Sequence, residues 1–215
     1  MIKSISAEIL KLKSSKISWT LFVCAILTVA FVFIGHLLDV NNIIRLNVNP
    51  WVRYANASLT IYSLFILSAI VVLITSFVAN IENKSNGWKL VYTMPVSRWS
   101  IYSSKFIVLV LLLIFNLLLL YLTIWISGFI LAFILPEYEF SFYQPEWSDV
   151  FARSIHAIIS VLGVIGIQYF LTIRFRNFLV PLGVGIFGLI FGFILSTIDI
   201  KFILYCPYSL SLIHI

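Results

Sequence analysis

The sequence predicts an all-α membrane protein, a polytopic helix bundle with an N-terminal amphipathic interfacial helix and five transmembrane helices. Three observations predict it. Of the 215 residues, 62% are hydrophobic and only 10% charged, where a soluble domain carries roughly 25% charged residues. Mean hydropathy is +1.11. The apolar residues also gather into five long runs separated by more polar stretches. So little polar surface makes lipid the solvent for most of the chain. No linker-like tract and no internal repeat divides residues 1–209, which read as one transmembrane domain. Met1 to Lys16 mixes polar and apolar residues and no small-residue cleavage site follows, so it does not read as a signal peptide.

The elements follow in order. In residues 1–16, Ile2, Ile5, Ile9 and Leu12 recur at three- and four-residue steps and share a helical face. Lys3, Lys11, Lys13 and Lys16 surround that face, which predicts a helix lying on the inner leaflet. It either sets topology or acts as an elbow that transmits motion. A membrane core of about 30 Å takes about 20 helical residues. By that length the predicted spans are 17–38, 57–80, 106–127, 154–173 and 178–196. The third apolar run continues to residue 135, so it must tilt, break near Ser127-Gly128 or leave the bilayer.

Charge sets the expected orientation, because loops rich in Lys and Arg stay cytoplasmic. With the N-terminus inside, the inner segments hold Lys3, Lys11, Lys13, Lys16, Lys84, Lys89, Arg98, Lys105, Arg174 and Arg176. The outer segments hold Arg45, Arg53, Arg153 and Lys201, which completes the 14 basic residues. The net charge of +6 is therefore an inner-face bias suited to an anionic leaflet, not a nucleic-acid footprint. Trp19, Trp88, Trp99 and Trp147 fall near the predicted interfaces.

Few residues suggest chemistry. Cys24 and Cys206 read as small apolar fillers. His36 and His156 sit near outer span ends without further ligands at metal-site spacing, so no metal site is expected. Nothing marks a nucleophile–base pair, and no enzyme activity is expected of this chain. Asn116 and Gln168 are lone amides in the third and fourth spans, expected to bond to neighbouring helices or to line a substrate path. In the fifth span, Gly188 and Gly192 form a G-x-x-x-G step that lets two helix backbones approach. The outer segment 136–150 is acidic and aromatic, suited to the interface.

The most informative stretch is NIENKSNGWKLVYTMPVSRWSIYSSK, residues 80–105. Ile81 to Met94 can form a short helix, with Trp88, Val91 and Tyr92 on one face. Pro95 should end it, and Ser97 or Ser100 can cap the helix that opens the third span. A plain reversal needs none of this, so the segment suits docking to a soluble partner, the alternative being a solvated basic loop that only fixes topology.

These residues resemble a family. Glu82, Trp88-Lys89, Met94-Pro95-Val96-Ser97-Arg98 and Ile101-Tyr102-Ser103-Ser104-Lys105 are similar to the cytoplasmic segment of ABC-2 type transporter permeases, nearest the branch that includes lantibiotic immunity permeases. Ala7-Glu8 with Lys11 and Lys13 resembles that family's N-terminal helix. The resemblance implies that residues 81–100 are a coupling segment, with Glu82, Trp88, Lys89, Pro95, Arg98 and Lys105 facing a cytoplasmic ATPase subunit. It makes Arg174 and Arg176 a second, lesser contact. It also implies a second permease chain, homo- or heterodimeric, and a bacterial cytoplasmic membrane with the N-terminus inside. The expected work is export of an amphipathic or hydrophobic substrate, such as an antimicrobial peptide or a lipid-like molecule. The chain carries no G-x-x-x-x-G-K-[S/T] loop, so ATP and its Mg belong to the partner and no cofactor is expected here. The alternative is a non-transporting anchor or signalling subunit that docks another soluble protein through residues 80–105.

The C-terminus departs from the family pattern of six spans ending inside. Leu210 to Ile215, LSLIHI, matches the in-frame translation of CTGTCTCTTATACACATC, a transposon-end adapter. The expectation is a C-terminally truncated reading frame with a non-native tail at 210–215 and the sixth span missing.

Overall fold

The computed structural model describes residues 2–13, 15–38, 49–84, 97–136, 140, 143, 147–175 and 177–198, among which there is no strand. Helix α1 is Ile2–Lys13 and α2 is Ile17–Leu38. Helix α3, Pro50–Ile61, runs through a π-helical turn, Tyr62–Ile66, into α4, Leu67–Lys84. Helix α5 is Arg98–Ile134, α6 is Trp147–Arg174 and α7 is Leu179–Ile198. Trp88, Lys89, Pro95, Arg176 and the 210–215 tail lie outside the described residues.

Local chemistry places the helix ends. Ser15 closes α1 by donating to Leu12 O at 2.7 Å, and its Oγ accepts from Ile17 N as α2 begins. Asn49 caps α3, its Oδ1 accepting from Trp51 N at 3.0 Å, and Pro50 takes the first turn, where its missing N–H costs nothing. Ser97, one of the two cap candidates, is the N-cap of α5 and accepts from Ser100 N. Asn177 caps α7 through Leu179 N.

Four stretches are long and apolar enough to cross a membrane: Ile17–Leu38, Pro50–Ile81, Trp99–Ile134 and Val150–Arg174; α7 adds the shorter apolar stretch Leu179–Ile194. The chain is an all-α, multi-pass membrane bundle. Helix α4 sits at its centre, against α6 and α7, with Leu67, Ile70, Val71, Val72 and Ile74 all 2% exposed or less. Helix α5 carries α1 and α2 along its length, and α3 wedges among α2, α5 and α6. Large side chains such as Phe31, Phe133 and Phe187 point outward. An apolar girdle of this extent fits lipid and not water.

Of the courses open to the third apolar run, a break at Ser127-Gly128 is not taken: α5 is one helix whose 37 residues extend about 55 Å, well beyond a membrane core. Two expectations change. Ile81 to Lys84 do not open a separate helix but form the last turn of α4, because Ile81 packs on the core. The α1 face differs too. Ser4, Ile5, Glu8 and Leu12 turn into the bundle, while Ile9 is 50% exposed. Half of the apolar stripe, Ile5 and Leu12, faces the bundle beside the Glu8–Lys105 ion pair.

Candidate functional site

Two sets of polar groups stand out in this apolar chain. The first lies where α1 meets the opening turns of α5. Glu8 Oε1 accepts from Lys105 Nζ at 3.0 Å and from Lys11 Nζ at 2.8 Å. The Lys105 side chain is 2% exposed and that of Lys11 41%. Burial pushes the Glu8 carboxyl up, but the Lys11 hydrogen bond and the Lys105 charge outweigh it and hold it below its usual range. One turn back on each helix, Ser4 Oγ and Ser100 Oγ are 3.4 Å apart. Helix α6 joins the same turns of α5, with Tyr169 Oη donating to Tyr102 O at 3.0 Å and its ring beside Phe106. Phe77 of α4 stacks on Phe178 at the start of α7.

This end of the bundle therefore gathers α1, the end of α4, the start of α5, the end of α6 and the start of α7. It carries Lys11, Lys16, Lys105 and the exposed Arg174, and Lys84 and Arg98 are terminal residues of helices that meet there. Glu82 sits in the last turn of α4, Arg98 in the first turn of α5 and Lys13 at the end of α1. Lys105, expected among the docking residues, is instead turned inward onto Glu8. The sequence names both residues but gives no sign that they meet across 97 positions.

The second set lies mid-bundle. Tyr62 Oη donates to Asn116 Oδ1 at 2.7 Å, and Asn116 Nδ2 donates to Leu21 O at 2.8 Å. All three residues are 1% exposed or less. One amide thus ties α2, the π turn and α5 together. Within the turn, Ser63 Oγ donates to Leu59 O and Thr60 O, and Leu67 N–H reaches back to Tyr62 O. Gln168 is fully buried in α6 and packs on the backbone of Gly185: a Cβ there would meet Gln168 Nε2 at 2.7 Å and Val72 Cγ1 at 2.4 Å. Gly192 is buried and Gly188 half-buried. Gly185 makes room for Val72 of α4 and Gln168 of α6.

The opposite end is held by aromatic contacts that sequence reasoning missed. Trp51 Nε1 donates to Phe140 O at 2.9 Å, and its ring meets Phe129 and Phe140 edge-on. Tyr54 Oη donates to Ser127 Oγ at 2.8 Å. The buried His36 bonds Val32 O through Nδ1 and packs edge-on against Tyr54. Tyr121 Oη bonds Ser154 Oγ and Val150 O, joining α5 to α6. Arg53 and Arg153 are the described basic residues at this end. Among the described residues, no group of three His, Cys, Asp or Glu gathers to hold a metal.

Between α2 and α5 lies an open apolar groove of about 360 Å³, walled by Phe22, Ile26, Phe33, Leu122, Ile126 and Ile130. The two hydroxyls at its floor, Thr123 and Ser127, are bonded to α5 carbonyls, so the groove presents hydrocarbon.

A family model described as ABC-2 family transporter protein matches residues 4–192. No curated protein and no solved structure gives a significant match. The match covers most of α1 and of α7, and with them the ion pair, the mid-bundle amide and the four long apolar spans. The chain belongs to the ABC-2 family of transporter proteins and is the membrane permease component of an ABC transporter.

Proposed function

We propose that this permease exports an amphipathic or hydrophobic substrate, driven by a cytoplasmic ABC ATPase that docks on residues 81–100. The single observation that carries the reading is the charge of one bundle end. Lys11, Lys16, Lys84, Arg98, Lys105 and Arg174 all belong to the end from which that segment leaves α4 and enters α5. Basic residues concentrate on the cytoplasmic side of membrane proteins. This end is then the inner one, in a bacterial cytoplasmic membrane, with the N-terminus inside.

Glu82, Trp88, Lys89, Pro95 and Arg98 form the docking surface, and Arg174 and Arg176 make a lesser contact. The work needs a second permease chain, and ATP and Mg stay on the ATPase. The groove between α2 and α5 supports a substrate with substantial hydrocarbon, a peptide of the lantibiotic type or a lipid-like molecule. The test is co-purification with the ATPase of the same operon. Glu82→Ala or Lys89→Glu should weaken capture of the ATPase while membrane insertion survives. Unchanged capture by both variants would sink the docking assignment. Capture without any ATP-driven movement of a cationic amphipathic peptide in vesicles would point to an anchor or signalling subunit.

A further inference from the structure

We infer that Glu8 and Lys105 are positioning residues that lock α1 to the opening turns of α5, so that the two helices move as one body during the transport cycle. The inference rests on the proposed docking of residues 81–100, because α5 begins where that segment ends.

The contacts form a register. Ser4 meets Ser100 at 3.4 Å, and one turn on Glu8 meets Lys105 at 3.0 Å. A further turn along α1, Leu12 is buried on the same side. The two contacts advance together along α1 and the opening turns of α5. The ion pair carries most of the specificity. A buried ammonium is strongly favoured beside its carboxylate, since a charge in a poorly solvated site loses much of its compensation with that partner. Lys11 closes the pair from the solvent side at 2.8 Å. Sliding α1 by a turn along α5 would place Lys105 against Ser4 or Leu12, neither of which carries a charge.

The outer face of α1 gives the lock its use. Ile9 and Leu10 are 50% and 65% exposed beside the exposed Lys11. A helix with apolar and cationic side chains outward grips an anionic leaflet. A push on the start of α5 then moves a membrane-anchored lever, and the leaflet resists or guides that push.

The test uses the full permease–ATPase complex in vesicles of anionic phospholipid, with Cys24 and Cys206 changed to Ser. Ser4→Cys with Ser100→Cys should form a disulfide, because their Oγ atoms lie close enough for bridging geometry. If α1 and α5 move together, the cross-linked complex keeps the ATP turnover of its reduced form. Arrest of turnover on cross-linking, restored by reductant, would show that the helices separate during the cycle and would overturn the inference. Glu8→Gln should lower both cross-linking yield and ATP turnover. The exchange Glu8→Lys with Lys105→Glu should restore both. Failure of the exchange alongside a folded, ATPase-bound complex would also overturn it. Failure of the docking reading looks different: ATPase capture indifferent to Glu82→Ala and Lys89→Glu, with the cross-linking results unchanged.

Discussion

Replacing Gly128 by Ala tests whether the long α5 is held by the niche it offers Trp51. A Cβ at Gly128 would lie 2.4 Å from Trp51 Cζ3, 2.8 Å from Cη2 and 3.2 Å from Cε3. Carbon atoms rest at about 3.5–4.0 Å, so the indole must shift by about 1 Å. It has little room to do so. Trp51 is 4% exposed, flanked by Phe129 and Phe140, and tied to Phe140 O by its N–H. Overpacking of this kind costs about 1–3 kcal/mol, and losing the indole bond adds about 1 kcal/mol. Against this, Ala gains about 1 kcal/mol over Gly inside a helix. The net expectation is a loss of about 1–3 kcal/mol.

Gly35 supplies the control in the same chain. A Cβ there meets nothing within 4 Å, so Gly35→Ala keeps the helix gain and makes no clash. The two variants should differ by about 2–4 kcal/mol, which at about 2–4 °C per kcal/mol for a chain of this size is a gap of roughly 5–15 °C in unfolding temperature. The assay is thermal unfolding in identical lipid nanodiscs, followed by Trp fluorescence. Adding Trp51→Phe to Gly128→Ala should cost less than the sum of the two single changes, because the smaller ring vacates the clash. Coincident melting of the Gly128 and Gly35 variants, or strict additivity with Trp51→Phe, would refute the packing argument.

The mid-bundle amide and the interfacial ion pair give two further expectations. Tyr62→Phe removes the donor to Asn116 Oδ1 and should lower stability by about 0.6–2 kcal/mol, read as a lower unfolding temperature in the same nanodiscs; no change would mean that Asn116 finds another partner. The Glu8 carboxyl is held below its usual range in the folded chain. A depressed folded-state pKa contributes stability above the unfolded value and loses it as pH falls through the folded one. The advantage of the unmodified chain over Glu8→Gln should therefore be full near neutral pH and disappear below the usual carboxylate range. A constant difference across acid pH would show that Glu8 acts through shape and not charge.

What the sequence disclosed, and what it did not, follows from the kind of information each residue carries. The 17–38 run was legible because hydropathy and length alone define a membrane helix. Asn116 and Gln168 were legible as amides in an apolar setting, since each must find a partner. Tyr62 was not, because a tyrosine in a span is ordinary and a π turn leaves no mark in helical periodicity. Trp51 and Tyr54 fall outside the predicted 57–80 span, because Arg53 and Asn56 dilute the run around them. Yet the side that Trp51 and Tyr54 share is fully buried, and burial of one face suffices to extend α3. Gly128 was read as a possible break because sequence reports the freedom of a glycine and not what lies opposite it. In α7 the four-residue spacing of Gly188 and Gly192 drew attention away from Gly185. Glu8 and Lys105 were both singled out, but pairing them needed the topology that lays α1 along α5.

The placement of charge within this bundle has a physical logic that bears on how it moves. A charge near the membrane centre costs about 2.5–3.5 kcal/mol on insertion, and the centre of this fold is joined instead by neutral groups, Tyr62, Asn116 and Gln168. The one described ion pair between helices, Glu8 with Lys105, sits at an end of the bundle, where Lys11 remains 41% exposed and water eases the cost of burial. Neutral bonds are weak enough to be exchanged as helices bend, and the π turn Tyr62–Ile66 places a helix irregularity beside them. A buried ion pair is a charge-assisted bond, and is harder to exchange than a neutral one. Rigidity at the end from which residues 81–100 leave the bundle, with compliance at the middle, is the arrangement that the proposed docking of an ATPase there would require. Reversing it, with an ion pair at Asn116 and an apolar contact at Glu8, would make the bundle harder to insert and leave α1 free to slip.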